Sequence, residues 1–116
     1  PKNTLLTESK LFDAEEVEKK TELIIQYLDE ENYQEIKKLS IEKLADMMNK
    51  KNGSGEKSSG KDWGEFQHFG EVYLIESSRM GQHSAIAQIN ASYENTSVTY
   101  TLSFNQDMEL NGLWIK

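Results

Sequence analysis

The chain has 116 residues, enough for one compact domain, and 36% of them are hydrophobic and 28% charged. Its formal net charge is −7, whereas nucleic-acid binders need a basic surface that neutralises phosphates, so the composition argues against nucleic acid as a partner. The sequence contains no cysteine, which excludes disulfides and cysteine-based metal or catalytic sites. No apolar run approaches the roughly 18 residues of a membrane span.

The two halves of the chain differ in composition. Residues 1–62 carry 25 charged side chains and residues 63–116 carry 8. The first half is rich in helix formers and the second in Ser, Thr, Tyr, Val and Ile, which favour strands. Each half is too small to bury a core alone. We therefore expect an N-terminal tail over residues 1–11 and a single α+β domain over residues 12–116.

The first predicted helix has a clear start signal. Asp13 is placed to cap it, and Glu16 three residues later completes a capping box. Phe12 and Val17 occupy the two positions of a hydrophobic staple. Helical spacing then gives an apolar face made of Val17, Leu23, Ile24, Tyr27 and Leu28.

Two shorter helices are predicted next. Tyr33, Ile36 and Leu39 indicate the second, and Ser40 is a candidate N-cap for the third. The Gly- and Ser-rich stretch that follows the third helix predicts an exposed and flexible loop over residues 53–61.

The second half predicts four strands. An extended segment covers residues 65–77 with a bulge at Gly70, and two alternating segments follow around residues 83–93 and 97–104. A turn leads to a last strand over residues 108–115. Short connections favour an antiparallel meander, so we expect three helices on one face of a curved four-stranded antiparallel sheet.

Two short motifs imitate ligand sites. GEKSSGKD, residues 55–62, matches a phosphate-binding loop except at Asp62, but it follows a helix and precedes a strand, the reverse of the required order. The start of a calcium loop appears at residues 107–112 without its twelfth-position glutamate. We interpret the first motif as a connector and the second as a strand, and we predict no cofactor and no metal.

Catalytic candidates are few. His68 and His83 lack ligand partners at metal-binding spacing and are interpreted as partly buried strand residues, although neighbouring strands could bring them together. No nucleophile elbow is present. The acidic residues mostly occupy helix surfaces or turns, so no catalytic residues are assigned.

Aromatic residues of the sheet suggest a pocket instead. Curved sheets covered by helices often leave an apolar pocket at their open end, although aromatic residues on a buried face are commonly just core. The candidate pocket residues are Tyr27, Tyr73, His83, Tyr93, Tyr100 and Trp114.

The order of these segments resembles a known family. The run FDAEEVEKKTELIIQYLDEENYQEIKKLS is followed by SIEKLADMM, WGEFQHF and FNQDMELNGLWI. Across residues 12–115 this is similar to small uncharacterised domains of secreted proteins and lipoproteins of Gram-positive bacteria. The matching features are an aromatic after a polar turn (DEENY), a glycine and aromatic that open the sheet (Gly64–Phe66), and a last strand after Phe104.

The resemblance implies a cystatin-like or nuclear-transport-factor-2-like fold and an extracellular or cell-surface location, with a lipid-anchored precursor in some relatives. Together with Pro1 as first residue, it leads us to expect that a targeting segment has been removed. The leading hypothesis is a non-catalytic domain that binds a small ligand or a protein partner between helices and sheet. One alternative is an isomerase- or cyclase-like enzyme that uses a pocket histidine, and another is a structural module that forms homodimers.

Overall fold

The computed structural model describes residues 2–50 and 63–116, with side chains for 3–47 and 63–116. It contains α1 (Ala14–Asp29), α2 (Tyr33–Lys38) and α3 (Glu42–Lys50) and five strands. The strands are β1 (Lys2–Leu5), β2 (Phe66–Arg79), β3 (Gln82–Tyr93), β4 (Ser97–Phe104) and β5 (Leu110–Ile115). The α+β class is confirmed. The predicted connector over residues 53–61 lies outside the described residues.

The strands form one open antiparallel sheet in the order β1-β2-β3-β4-β5. The predicted meander of β2 to β5 is therefore confirmed, but the predicted number of four strands is wrong. The additional strand comes from the N-terminal segment, which the sequence analysis treated as a tail.

The N-terminal segment contributes to the core as well as to the sheet. Leu5 pairs with Ile75 of β2, and a 3-10 helix, Leu6–Glu8, follows at once. Leu6 is fully buried, whereas Leu5 is 59% exposed. The described side chains of β1 are exposed and its sequence shows no apolar alternation, while the buried Leu6 belongs to the 3-10 helix, so periodicity does not predict this strand.

Helix α1 begins as the sequence predicts. The Asp13 side chain accepts hydrogen bonds from the backbone N–H of Glu15 at 3.0 Å and of Glu16 at 3.4 Å. The staple residues Phe12 and Val17 are both buried. The buried face differs in part from the predicted one, because Leu23 is 39% exposed; its members are Val17, Thr21, Ile24, Ile25 and Leu28.

The alternating sequences of β3 and β4 give the sheet two unlike faces. One face is buried beneath the helices and carries Ala85, Ala87, Ile89, Ala91 and Tyr93 from β3, with Val98, Tyr100, Leu102 and Phe104 from β4. The residues between them point to the opposite side, which we call the open face. Helix α1 packs against β3.

Hydrogen bonds fasten the other helices to the far edge of the sheet. The backbone of Leu110 in β5 accepts from Ile41 N–H and donates to the Leu39 carbonyl, so the link between α2 and α3 pairs with the strand. The Ser40 hydroxyl donates to the carbonyl of Ile36 at 2.7 Å, an additional bond that closes the end of α2.

The start of β2 is irregular. Its register against β3 shifts between Phe66 and His68 and again between Phe69 and Val72, around the predicted bulge at Gly70. Val72 therefore faces the core, opposite Ile89, and Tyr73 faces the open side. A bulge changes which side chains point inward, so the facing of β2 could not be obtained from simple alternation.

We expect Leu6→Ala to lower the free energy of unfolding by about 2–5 kcal/mol, because it removes a fully buried side chain and leaves a cavity. The neighbouring Leu5→Ala is the matched control and should change stability by less than about 0.5 kcal/mol, since that side chain is mostly exposed. Urea unfolding followed by circular dichroism measures both. Equal effects would show that the N-terminal segment is not part of the core.

Candidate functional site

A groove runs between α1 and the start of β2, with a volume of about 430 Å³. Its walls come from one side of the helix and from the irregular end of the strand. We call it the α1–β2 groove, and its lining residues are Lys19, Glu22, Leu23, Ile25, Gln26, Asp29, Phe66 and Phe69.

The β2 side of the groove is aromatic. The rings of Phe66 and Phe69 lie 4.8 Å apart between centroids at a tilt of 56°. Phe66 also meets the ring of Tyr93 edge-on at 5.7 Å, and Trp63 lies 5.2 Å from Tyr93 on the same cluster. Such tilted contacts are the favoured geometries of aromatic pairs, so they hold the wall in place. Phe66 nevertheless remains 40% exposed.

The α1 side of the groove carries two carboxylates, those of Glu22 and Asp29, together with the ammonium group of Lys19. Partial burial, and then the nearby carboxylate of Glu18, raise the pKa of Glu22 above its ordinary value. Asp29 lies about two helical turns beyond Glu22 and is the last residue of α1. Among the described lining residues the positive charge is that of Lys19, whose Nζ lies 3.7 Å from the carboxylate of Glu15.

Beneath the groove, three side chains form a chain of hydrogen bonds. The Tyr93 hydroxyl donates to the carboxylate of Asp29, at 2.8 and 3.0 Å from its two oxygens. The hydroxyls of Tyr93 and Tyr100 lie 2.6 Å apart. A phenol has one proton and Tyr93 gives its proton to Asp29, so Tyr100 must be the donor to Tyr93.

Both tyrosines are held in the protonated state. Burial raises the pKa of Tyr93 far above its ordinary value, and burial likewise raises the pKa of Tyr100 to about 12. Tyr93 is 6% exposed and Tyr100 is fully buried. This series of hydrogen bonds therefore orients the Asp29 carboxylate at the end of the groove and does not expose a tyrosine hydroxyl to the groove.

The six predicted pocket residues do not form one pocket. Tyr93 and Tyr100 come together as described, and Tyr27 is half-buried against the core. Tyr73 and Trp114 lie on the open face and are each 58% exposed. Their side is set by the β2 bulges and by Leu113 and Ile115, which pair with the inward residues Leu102 and Tyr100 of β4.

His83, the sixth predicted residue, lies at the other end of β3 from Tyr93. Its Nδ1 is 2.7 Å from the carboxylate of Glu76. A hydrogen bond from the Ser9 hydroxyl, together with His83, holds the pKa of Glu76 below its ordinary value, although burial opposes them. This cluster connects the N-terminal segment to the sheet.

The second histidine, His68, borders a depression on the open face, and its Nδ1 lies 3.3 Å from the carbonyl of Phe69. The two histidines thus occupy different parts of the sheet, and neither lines the α1–β2 groove. Over residues 2–50 and 63–116, no three His, Asp or Glu side chains are grouped so that they could hold a metal ion.

Sequence reasoning missed the groove because its polar lining comes from α1. Lys19, Glu22, Leu23 and Gln26 recur at helical spacing beside the buried face, and Asp29 continues the series. This stripe was visible in the sequence, but polar residues on a helix are usually only solvated. This stripe becomes one wall of a groove only because the fold brings Phe66 and Phe69 next to α1.

Comparison with known protein families identifies the family of this protein. Residues 21–113 match a family described as protein of unknown function (DUF3887). The chain belongs to the DUF3887 family. The matched region begins within α1 and ends in β5, so it includes Glu22, Asp29, both phenylalanines and both tyrosines of the site. No curated protein matches the chain.

A solved structure shares the fold of this DUF3887 domain. It is an NMR structure of a protein from Ruminococcus gnavus ATCC 29149, with a TM-score of 0.81 and 21% sequence identity. The match covers 98% of this chain and 99% of the other. The likeness extends over the whole described arrangement of helices and sheet. In the part of the domain that the structure describes, no helix is long and apolar enough to cross a membrane.

The direction of the hydrogen-bond chain is testable. Tyr93→Phe should lower the free energy of unfolding by about 1–3 kcal/mol, because it deprives both the buried Tyr100 hydroxyl and the Asp29 carboxylate of a partner. Tyr100→Phe leaves the bond to Asp29 intact and should cost only about 0.5–1.5 kcal/mol. Urea denaturation of both variants gives the comparison, and a larger loss for Tyr100→Phe would contradict the assigned direction.

The Glu76 cluster predicts a pH effect. A carboxylate whose pKa is lower in the folded state stabilises that state above its unfolded value, 4.5, and this contribution disappears as the pH falls through the folded value. The stability of the native domain should therefore fall more steeply below about pH 4.5 than that of Glu76→Gln. Thermal unfolding between pH 3 and 7 measures this. The exposed Glu30→Gln is the control and should keep the native slope; a native slope in Glu76→Gln would refute the assignment.

Proposed function

We propose that this DUF3887 domain is a non-catalytic binding domain whose α1–β2 groove takes a small ligand with an apolar body and a positively charged head. The observation that carries the proposal is that one groove combines a partly exposed aromatic wall with a rim that contains the carboxylates of Glu22 and Asp29. The wall selects the body of the ligand and the rim selects its charge.

The apolar half of the groove supports an apolar ligand body. A volume of about 430 Å³ lies within the range of small-molecule pockets. Leu23 and Phe66 are 39% and 40% exposed at the groove although they adjoin the core. Covering this surface stabilises a complex by about 25 cal/mol for each Å² removed from water.

The acidic half supports a positive head. The raised pKa of Glu22 reflects partial burial and the negative charge of Glu18, and a bound cation would offset both effects. At the other end of the rim, Asp29 closes a helix whose last turn has no basic residue. The C-terminal end of a helix dipole favours positive charge, so the helix end and the carboxylate act in the same direction.

The positions of the histidines support a binding role over an enzymatic one. The isomerase- or cyclase-like alternative needs a histidine base in the groove, whereas His83 is paired with Glu76 at the far end of β3. A phenol already keeps its proton at neutral pH, and burial raises the pKa values of Tyr93 and Tyr100 further. The Tyr93 hydroxyl holds the Asp29 carboxylate at the end of the groove, which makes Asp29 a candidate ligand anchor.

We also propose that the domain has a cystatin-like or nuclear-transport-factor-2-like arrangement and works outside the cell or on its surface. Helices gathered on one face of an antiparallel sheet support the first part. The second part follows from the resemblance to domains of secreted proteins and lipoproteins. Fractionation of the source cells with an antibody to the domain tests it, and a purely cytoplasmic signal would contradict it.

Binding is best tested by titration of the ¹⁵N-labelled domain with phenethylamine and, in parallel, with 3-phenylpropionate, which has a similar body and the opposite charge. The amine should shift the amide signals of groove residues, and the carboxylate should shift them far less. Glu22→Gln should weaken amine binding about tenfold, the scale of one charge-assisted hydrogen bond. Phe66→Ala should weaken it as well, through lost apolar contact.

Glu16→Gln is the matched control, because Glu16 is exposed on the same helix and does not line the groove. It should bind the amine like the native domain. Equal affinity for the amine and the carboxylate would refute the assigned charge preference. The absence of amide shifts in the groove at millimolar amine would refute the groove as the ligand site.

A further inference from the structure

The open face of the sheet is uncharged along its centre. The outward positions of β3 and β4 are Gln82, Ser84, Ile86, Gln88, Asn90, Ser92, Ser97, Thr99, Thr101 and Ser103. None of them is ionisable, in a chain of which 28% is charged. Solvated sheet faces usually carry charged side chains for solubility. This face instead offers hydroxyl and carboxamide groups, which both donate and accept hydrogen bonds.

Two exposed aromatic side chains mark the ends of one row across this face. Tyr73 pairs with Gln88, Gln88 with Thr101, and Thr101 with Trp114. The row crosses three strand spacings, so its ends are about 14 Å apart. Both aromatic residues are 58% exposed. The result is a polar strip with an aromatic platform at each end.

Both platforms are held in place before any ligand arrives. The six-membered ring of Trp114 covers Gly112, where an added Cβ would lie 2.6 Å from Cη2 and 2.8 Å from Cζ3 of the ring. Glycine is therefore required beneath the indole. The Tyr73 hydroxyl donates to the Glu71 carboxylate at 3.1 Å. Side chains fixed in this way lose little conformational entropy on binding.

A depression of about 480 Å³ adjoins the Tyr73 end of the row. Gly70 leaves room there for the side chain of Asn90, whose Oδ1 would lie 3.2 Å from an added Cβ. The Asn90 amide nitrogen lies 3.5 Å from the Thr99 hydroxyl, a long contact that a stronger acceptor could replace. The bulge at Gly70 thus creates a recess lined by hydrogen-bonding groups, among which Glu71 and His68 are ionisable.

We propose that the open face binds a neutral oligosaccharide, with Trp114 and Tyr73 as stacking platforms and the Gln88–Thr101 strip between them. Pyranose rings present apolar C–H faces that stack on aromatic rings, and their hydroxyls match carboxamide and hydroxyl partners in both directions. A chain of linked sugars spans the distance between the platforms. The Gln88–Thr101 strip carries no charge to pair with an anionic polymer, and the Glu71 carboxylate beside Tyr73 repels one, so the face favours a neutral polymer.

The same observations favour this occupant over a second copy of the domain. Among the described residues, the aliphatic part of the face is a short stripe of Leu5, Ile75 and Ile86 at one end. Around it lie hydroxyls and carboxamides, so a second copy would bury a mainly polar surface. Stable homodimers bury a larger apolar centre. Sugar hydroxyls both donate hydrogen bonds to such groups and accept hydrogen bonds from them.

Native affinity electrophoresis tests the proposal. The acidic domain migrates towards the anode, and gels that contain hydroxyethylcellulose, soluble starch, galactomannan or anionic alginate report its retardation. At least one neutral polymer should retard the domain, and alginate should not. Trp114→Ala and Tyr73→Ala should each weaken retention about tenfold, and Trp114→Phe should keep most of it because the platform remains aromatic.

Phe66→Ala is the control, since it removes an exposed aromatic side chain from the α1–β2 groove and not from the open face. It should leave polysaccharide retention unchanged, whatever its effect on amine binding. Absence of retention by every neutral polymer would overturn the proposal, as would native retention by Trp114→Ala. Sedimentation of a micromolar dimer that Trp114→Ala dissociates would assign the face to a second copy and overturn it as well.

Discussion

Alanine on β3 sets the distance between helix and sheet. Ala85, Ala87 and Ala91 are fully buried, and α1 packs against this strand. Because alanine has a short side chain, α1 can lie close to the middle of the sheet, and the bulky Tyr100 and Phe104 of β4 fill the space beside it. The other helices are fastened to β5. The start of β2 is thus left on the less covered side of α1, where the groove opens.

The two surfaces proposed to bind ligands differ in chemistry because they arise from different elements. The groove takes its carboxylates from a helix whose sequence is highly charged and its aromatic wall from an irregular strand end. The open face takes its hydroxyls and carboxamides from strands with almost no charge. Phe66 and Trp114 lie on opposite faces of the sheet, so mutations at these residues test the two proposed functions separately.

The sequence predicted those parts of the fold that depend on local periodicity. Alternation assigned the two faces of β3 and β4, and Asp13 marked the start of α1. Local periodicity could not predict β1, because the four residues of this strand are stabilised by pairing with β2 and show no strand pattern of their own. It placed Tyr73 and Trp114 with the inward aromatic residues, although bulges and long-range register decide their side. It also missed Asp29, because the partner that orients this carboxylate, Tyr93, is 64 residues away.

The short β1 strand also bears on the solubility of the domain. It pairs only with residues 75–78 of β2, so within the described chain the outer edge of residues 66–74 has no strand partner. An open edge with unpaired backbone groups is a template for intermolecular pairing and aggregation. Both register shifts of β2 fall in this segment, and bulges bend and twist a strand away from the flat shape that another strand needs. The irregular backbone that opens the groove therefore also makes this edge a poorer template for pairing with a second molecule.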